Sequence, residues 1–438
     1  MMAKAKKTAA PAIIPAAEIP YTVPANWRWV RLGTVLEVSK EKTEDFSDAT
    51  IKYVGLENLE NGRGITSYGT AEGIKSVKNV FHPGQILYGK LRPNLNKHDI
   101  AVCDGVCSSD ILVFDAKAEV DTRFANFFLD RPEFVSYAVN HSKGINLPRV
   151  SVQAVLDAAF PLPPRAEQER IVAVIEELFE KLDAAEEKLR AVIEGSPARR
   201  AALLRRAFTG DLTASWRAAH GRTMDMWEKR SFGNCIDKMQ NGLSKRRGVE
   251  GELYGVLRLA NLGTDDICTE DLREILLTKK EQEKYSLHAN DVVMIRVNGS
   301  KGNVARQLLI KSEQKWAFCD HIIRIRYKTD VVNPEYMILF SQSHEYKQYI
   351  AENMVSSAGQ NTISRKGMEN LIVPVPSLEE QKQMVHIFNA FISDEDEARA
   401  VAEAALAKIP ALRQAVLARA FRGQLGTNDP AEPPALSE

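Results

Sequence analysis

Charge of one sign is not in excess in this 438-residue chain: Lys plus Arg number 58, and so do Asp plus Glu. Net charge therefore argues for neither nucleic acid nor membrane, and any basic surface must come from segregation of charge. No run of about 18 apolar residues exists, so the pattern predicts no transmembrane helix. Cysteine is sparse and odd in number (Cys103, Cys107, Cys235, Cys268, Cys319). That excludes a disulfide framework, and a reducing compartment is the simpler reading. The basic N-terminus has no apolar core of the kind a signal peptide needs and reads as a flexible tail. What is present is an ordinary soluble mixture, 44% hydrophobic and 26% charged, of a size that suggests roughly two to four domains.

The chain repeats itself. At an offset of 213 positions, residues 161–212 fall on 374–425 without a gap, and 18 of these 52 positions are identical. Pro161, Pro163, Glu167 and Gln168 match Pro374, Pro376, Glu380 and Gln381. Pro197, Arg200, Leu204 and Ala207-Phe208 match Pro410, Arg413, Leu417 and Ala420-Phe421. Elsewhere the likeness is weaker and the offset drifts: Trp27 with Leu32-Gly33 resembles Trp227 with Phe232-Gly233. Each unit thus has a variable half, whose loops gain and lose residues, and a half of fixed length.

The fixed half reads as helix. Ile171, Ile175, Leu178, Leu182, Ala185, Leu189 and Val192 step by four and three, the seam of a coiled coil. Pro163-Pro164 bars helix before it, and Gly195-Ser196-Pro197 is expected to end it. That leaves about 30 helical residues, roughly 45 Å, followed by a shorter helix after each of Pro197 and Pro410. The second seam is poorer, with Phe388 and Phe391 but Glu395 where Leu182 sits. Antiparallel pairing of the two seams is expected.

The variable halves read as mixed α/β. Strands are expected at 51–56, 85–91, 110–114, 255–259, 291–297 and 321–327, and helices at 123–140 and 334–353. Each half closes on a glycine loop, Lys143-Gly144-Ile145-Asn146 and Ala358-Gly359-Gln360-Asn361.

No catalytic motif is legible. The phosphate loop of nucleotide-driven motors is not found. Asn333-Pro334-Glu335-Tyr336 has Glu335 where a methyltransferase motif needs proline, and it reads as a helix start. Glu-x-Lys at Glu313/Lys315 and Glu345/Lys347 has no accompanying Pro-Asp. Cys103/Cys107 and Cys319-Asp320-His321 lack a second ligand pair at zinc spacing and read as core or strand residues, so no metal is expected.

Local basic clusters remain. One follows a strand and holds Lys90, Arg92, Asn94, Asn96 and Lys97; its counterpart holds Arg296, Asn298, Ser300 and Lys301. Lys245, Arg246 and Arg247 form another run. Lys143, Asn146 and Arg149 lie at the first glycine loop, and Asn361, Arg365 and Lys366 at the second. These are the side chains that grip phosphates or hydrogen-bond base edges. Solvated surface loops are the bland alternative, weakened because equivalent places in both copies carry them.

Together, Phe160-Pro161-Leu162-Pro163-Pro164-x-x-Glu167-Gln168 with a following helix, and Ala207-Phe208-Thr209-Gly210-Asp211-Leu212, resemble the repeated region of type I restriction–modification specificity subunits. The second copy, from Val373-Pro374-Val375-Pro376 to Gln424-Leu425, matches too. Residues 85–94 and Ser108-Ser109-Asp110 look like that family's target-recognition domains. Departures are Arg165, the absence of an Arg-Pro pair after Arg296, and Glu395. The resemblance implies an α+β chain with two mixed α/β target-recognition domains separated by two long antiparallel coiled-coil helices, related by an internal pseudo-two-fold repeat. The corresponding boundaries are 1–20 tail, 21–159 first recognition domain, 160–215 helical region, 216–372 second recognition domain, 373–426 second helical region and 427–438 flexible tail.

It further implies a non-catalytic chain that reads a split double-stranded DNA target and docks two methyltransferase subunits and restriction subunits in a prokaryotic cytoplasm. S-adenosylmethionine would be held by the partner, and no cofactor by this chain. The rival readings are a self-contained DNA methyltransferase or nuclease, and a coiled-coil scaffold without a DNA role.

Overall fold

A computed structural model describes residues 13–48, 50–264, 266–357 and 359–436. The chain forms two compact units. One runs to Arg190 and resumes at Ala404; the other is Ala191–Glu403. Each is built on the same plan.

In the first unit a four-stranded sheet has the order His98–Ile100, Ile86–Gly89, Ile111–Ala116, Leu36–Val38, all antiparallel. In the second the order is Gln307–Leu309, Val292–Ile295, Ile322–Tyr327, Ile236–Asn241. Central strands such as Ile86–Gly89 and Val292–Ile295 are buried at every position, as expected for continuous apolar runs covered on both faces. A parallel pair adjoins each sheet: Gly105–Cys107 with Lys52–Val54, and Trp316–Phe318 with Glu252–Leu257. The six expected strands are present with shifted ends: the one expected at 110–114 runs on to Ala116, and the one expected at 255–259 begins at Glu252. Each expected helix is instead a pair, Thr122–Leu129 with Pro132–Asn140 and Pro334–Ser341 with His344–Asn353. Pro132 has no amide to continue the first helix, and the Ser343 hydroxyl caps a new helix by accepting from the Tyr346 amide.

Each unit is closed by a strand pair just before the repeated motif, Arg28–Arg31 with Ala159–Leu162 and Glu228–Ser231 with Ile372–Val375. The Glu-Gln of the motif is buried in both copies. Gln168 Oε1 accepts from the Asp121 amide and Gln381 Oε1 from the Asn333 amide, each at 2.7 Å, which pins the helix that follows the sheet. Trp27 Nε1 donates to Glu167 Oε2 at 2.8 Å, and Trp227 Nε1 donates to Glu380 Oε2 at 3.0 Å. The tryptophans and the motif glutamates recognised as repeated in sequence are therefore bonded to each other.

The helical halves depart from expectation in where the first helix ends and in what Ile171 and Ile175 meet, which is the helix after Pro410 and not the second seam. The first helix does not end at Gly195-Ser196-Pro197 but runs Arg165–Phe208, 44 residues with Pro197 inside. In the second copy Leu378–Leu406 stops and Ile409–Ala420 begins with Pro410 in its first turn. The same proline is tolerated within one helix and starts a helix in the other copy, because a first-turn proline loses no hydrogen bond.

Within the first unit Ile171, Val172 and Ile175 share a core with Leu417, Ala420 and Phe421. Arg413 lies over the Phe179 ring and pairs with Asp183, so these helices are antiparallel. Leu178, Leu182 and Leu189 are half-buried. Within the second unit Leu203 and Leu204 pack on Phe388, with Phe391 against them. There Glu395, out of place in an apolar seam, takes two hydrogen bonds from Arg199 at 2.8 and 2.9 Å.

Both expected tails are partly fixed. Ile14 is buried, and its amide donates to Trp29 O at 2.9 Å. Asn428 Nδ2 donates to Glu167 Oε2, and Arg170 clamps Glu432 with two bonds of 2.8 and 2.9 Å. Residues 1–12, 437 and 438 lie outside the described residues. Buried Glu167 needs donors, and Thr427 and Asn428 supply them.

Candidate nucleic-acid interface

The strand Ile86–Gly89 continues into the first basic cluster, and backbone bonds decide where that cluster goes. The Lys90 amide donates to Asp110 O at 2.9 Å, the Arg92 amide to Pro148 O at 2.7 Å, and the Val150 amide to Lys90 O at 3.0 Å. Two clusters some 50 residues apart in sequence are thereby zipped together. The first glycine loop is the tip of a ribbon, Ser142–Lys143 against Arg149–Val150. Gly144 at φ 108° makes its turn.

Between Lys90 and His98 the backbone is strained. Arg92 (φ 52°) and Asn96 (φ 40°) are both left-handed and bracket a short turn at Pro93–Leu95. Such conformations cost non-glycine residues about 1–3 kcal/mol each and persist only where surroundings impose them. Here the surroundings are a buried polar cluster. His98 Nδ1 bonds Asn126 Oδ1 at 2.8 Å and Nε2 bonds Asp130 Oδ1 at 3.1 Å, while Asn96 Nδ2 also reaches Asp130 at 3.3 Å. Lys97 Nζ donates to Leu56 O at 2.6 Å.

Of the basic and amide residues singled out in sequence, Asn96 and Lys97 thus hold the loop in shape. Arg149 is held by two 2.9 Å bonds to Asp110, and Lys90 Nζ lies 3.9 Å from the same carboxylate. The Arg149 hydrogen bond keeps the Asp110 carboxyl below the usual carboxylate range. Arg92, Asn94, Lys143 and Asn146 are exposed. The side chains of Arg92 and Lys143 make no ion pair with the described residues.

The second unit repeats the arrangement with other side chains. The Arg296 amide donates to His321 O at 2.8 Å and the Ile363 amide to Arg296 O at 3.1 Å, so Arg296 stands where Lys90 does and His321 where Asp110 does. Val297–Asn298 pairs with Gln360–Thr362, which also pairs with Val355–Ser357; Ala358 of the glycine loop is outside the described residues. Asn361 is buried and structural: its amide donates to Gly299 O at 2.9 Å and its oxygen accepts from Ser356 Oγ at 2.6 Å. Asn298 Oδ1 accepts from the Ser300 amide at 2.8 Å. Lys245 is paired with Glu281 at 2.6 Å. Arg246, Arg247, Ser300, Lys301, Arg365 and Lys366 are exposed.

Sequence reasoning missed Asn126 and Asp130 as parts of the site, and the pairing of Asp110 with Arg149 and of His98 with both. Acidic and amide residues on separate elements carry no local signal, and only the fold brings them under the basic loop. Ligand atoms of Cys319, Asp320 and His321 lie within 4.8 Å of one another; the three are consecutive in the turn between Trp316–Phe318 and Ile322–Tyr327.

The family described as "Type I restriction modification DNA specificity domain" matches residues 24–195 and 259–401, and the chain belongs to this family. The specificity subunit of the type I restriction enzyme StySPI from Salmonella potsdam is 31% identical over 296 residues. That of EcoKI from Escherichia coli is 27% identical over 297. Each match spans 67% of this chain and 64% of the relative's length. Among solved structures, the HsdS subunit from Thermoanaerobacter tengcongensis has a TM-score of 0.63 at 19% identity, covering 93% of this chain and 99% of that one. This likeness shows the fold. No described helix is long and apolar enough to cross a membrane.

Proposed function

We propose that this chain is the DNA-reading subunit of a type I restriction–modification complex. In this reading residues 21–159 and 216–372 each recognise one part of a split double-stranded target. The helical regions 160–215 and 373–426 dock two methyltransferase subunits, and restriction subunits join them in a prokaryotic cytoplasm. The chain itself performs no chemistry and binds no cofactor; S-adenosylmethionine belongs to the partner.

The observation that carries the reading is the duplicated junction. In both units a basic strand extension is hydrogen-bonded to a glycine ribbon, leaving exposed cations on a rigid frame. A two-stranded ribbon is of a size to enter a major groove. With zero net charge the attraction must be local, and the exposed residues are positioned for it: Arg92, Asn94, Lys143 and Asn146 in one unit, and Arg246, Arg247, Ser300, Lys301, Arg365 and Lys366 in the other. Asn96 and Asn361 shape these surfaces from beneath, and Lys90, Lys97, Arg149, Lys245, Arg296 and Asn298 are tied into them by their own bonds, with Arg149 itself exposed.

The test is DNA binding by the complex co-purified with its methyltransferase. Arg92→Ala combined with Lys143→Ala should weaken binding and reduce the salt dependence by about one unit for each phosphate no longer neutralised. Unchanged affinity and slope would remove this junction from the interface. Failure to co-purify any methyltransferase would remove the reading itself.

A further inference from the structure

The two units differ at one place where the repeat says they should agree. Trp29 and Lys229 are counterparts, because they face Pro161 and Pro374 across equivalent strand pairs. Phe421 and Phe208 correspond through the 213-residue repeat. Phe128 and Phe340 correspond through the helices pinned by Gln168 and Gln381.

In the first unit this aromatic wall is covered by the chain's own N-terminal segment. Ile13 bridges Val30, and the Ile14 amide donates to Trp29 O at 2.9 Å, extending the strand pair. The Tyr21 ring stands edge-on to Trp29 with centroids 4.9 Å apart. Its hydroxyl donates to Phe421 O at 3.1 Å and accepts from Arg131 Nη1 at 2.6 Å. Phe421 is 0% exposed.

In the second unit the same wall is open at Phe208 and Ile372, while Phe340 is buried. A groove of about 440 Å³ is bounded by Phe208, Phe340, Tyr349, Ile372 and Pro374. Phe208 is only half-buried, Lys229 is exposed, and Ile372 is 53% exposed. The strand Glu228–Ser231 pairs only with Ile372–Val375 among the described residues. Glu345 and Glu352 also line this groove. By the same correspondence Ser343 stands where Arg131 does, so the cation that covers the aromatic rings of the first unit has no counterpart on the second.

We propose that this groove is a docking site for an extended segment of a partner protein. The segment adds as a strand to the free edge of Glu228–Ser231 and lays an aromatic side chain against Phe208 and Ile372. It also carries a lysine or arginine that meets Glu345 and Glu352. Main-chain bonds to the edge supply affinity and the pockets supply selectivity, as in other strand additions. The covered groove of the first unit is the internal template for the chemistry. The proposal does not depend on what the basic junctions bind.

The test uses the full chain and a fluorescent peptide of residues 13–24 in which Glu18→Lys supplies the cation. Saturable binding is expected with a dissociation constant on the order of 100 µM, modest because a short strand is ordered on binding. Ile372→Asp, and separately Glu345→Lys with Glu352→Lys, should each weaken it at least fivefold; the second variant carries the test if the first does not fold. A photoreactive benzoylphenylalanine at the Tyr21 position should crosslink within residues 340–374. No saturable binding, binding indifferent to both variants, or crosslinks confined to the first unit would overturn the proposal. Self-association of the full chain that Ile372→Asp abolishes would assign the groove to a second copy instead, and would likewise overturn it.

Discussion

His98 is buried to 3% of its side chain yet faces two acceptors, Asn126 Oδ1 and Asp130 Oδ1. With both ring nitrogens donating to these oxygens the ring is an imidazolium; Asn96 Nδ2 also lies 3.3 Å from Nε2. Burial opposes the charge, but the Asp130 carboxylate and the hydrogen bonds that the ring donates to Asp130 and Asn126 outweigh it and raise the pKa above the usual histidine value. The sign follows from linkage: a raised folded pKa stabilises fully below the unfolded value, near 6.5, and the contribution fades as pH climbs through the folded pKa. The left-handed Arg92–Asn96 loop should therefore loosen on the alkaline side. Amide hydrogen exchange of Asn94–Lys97, corrected for intrinsic rate, should quicken there in the wild type. His98→Gln should remove that pH dependence. An identical profile in both proteins would mean that the histidine does not hold the loop. Basic residues in this loop were legible in sequence; which of them are exposed was not. That depends on Asp110, Asn126 and Asp130, contributed by a strand and a helix further along the chain.

Among the elements, the long helix shows both what periodicity gives and where local rules yield. Ile171 and Ile175 were readable as buried by their spacing, and the capping logic of Gly195-Ser196-Pro197 was sound locally. Flanking turns nonetheless carry the helix through Pro197, with Leu203 and Leu204 packed on one side of the break and the seam continuing on the other. An interior proline forgoes a hydrogen bond and crowds the preceding turn, at up to about 3 kcal/mol. Pro197 is exposed, so Pro197→Ala should stabilise the local helix by about 1–3 kcal/mol. Native-state exchange of residues 193–201 should read this as added protection; reduced protection would show that the proline is required there.

The two motif glutamates are satisfied differently. Glu380 is met by Arg217 at 2.5 Å and Thr213 at 2.7 Å, whereas Glu167 relies on Trp27 and on Asn428 from the C-terminal segment. Truncation after Gly426 should leave a buried carboxylate short of a donor and cost the first unit about 1–3 kcal/mol. Exchange protection should fall around Trp27 and Ile171 and hold around Trp227. Equal loss in both units, or none, would contradict this. The expectation of a flexible tail at 427–438 could not anticipate this contact, since the demand it meets is created by folding.

At the scale of the molecule, the repeat was the most legible feature, because fixed length and recurring Pro-x-Pro…Glu-Gln survive divergence. Topology was less legible: the shared strand order of the two sheets rests on hydrogen bonds between segments whose sequences no longer match. The central claim is that two like frames carry unlike side chains, Lys90, Asp110 and Arg149 in one and Arg296, His321 and Thr362 in the other, so that each reads its own half of a target. The most direct measurement exchanges residues 21–159 for the equivalent segment of another family member and sequences the methylome of cells carrying the hybrid complex. The account predicts a methylated target altered in one half, with the other half and the spacer retained. A hybrid whose target changes in both halves, or in neither, would contradict it.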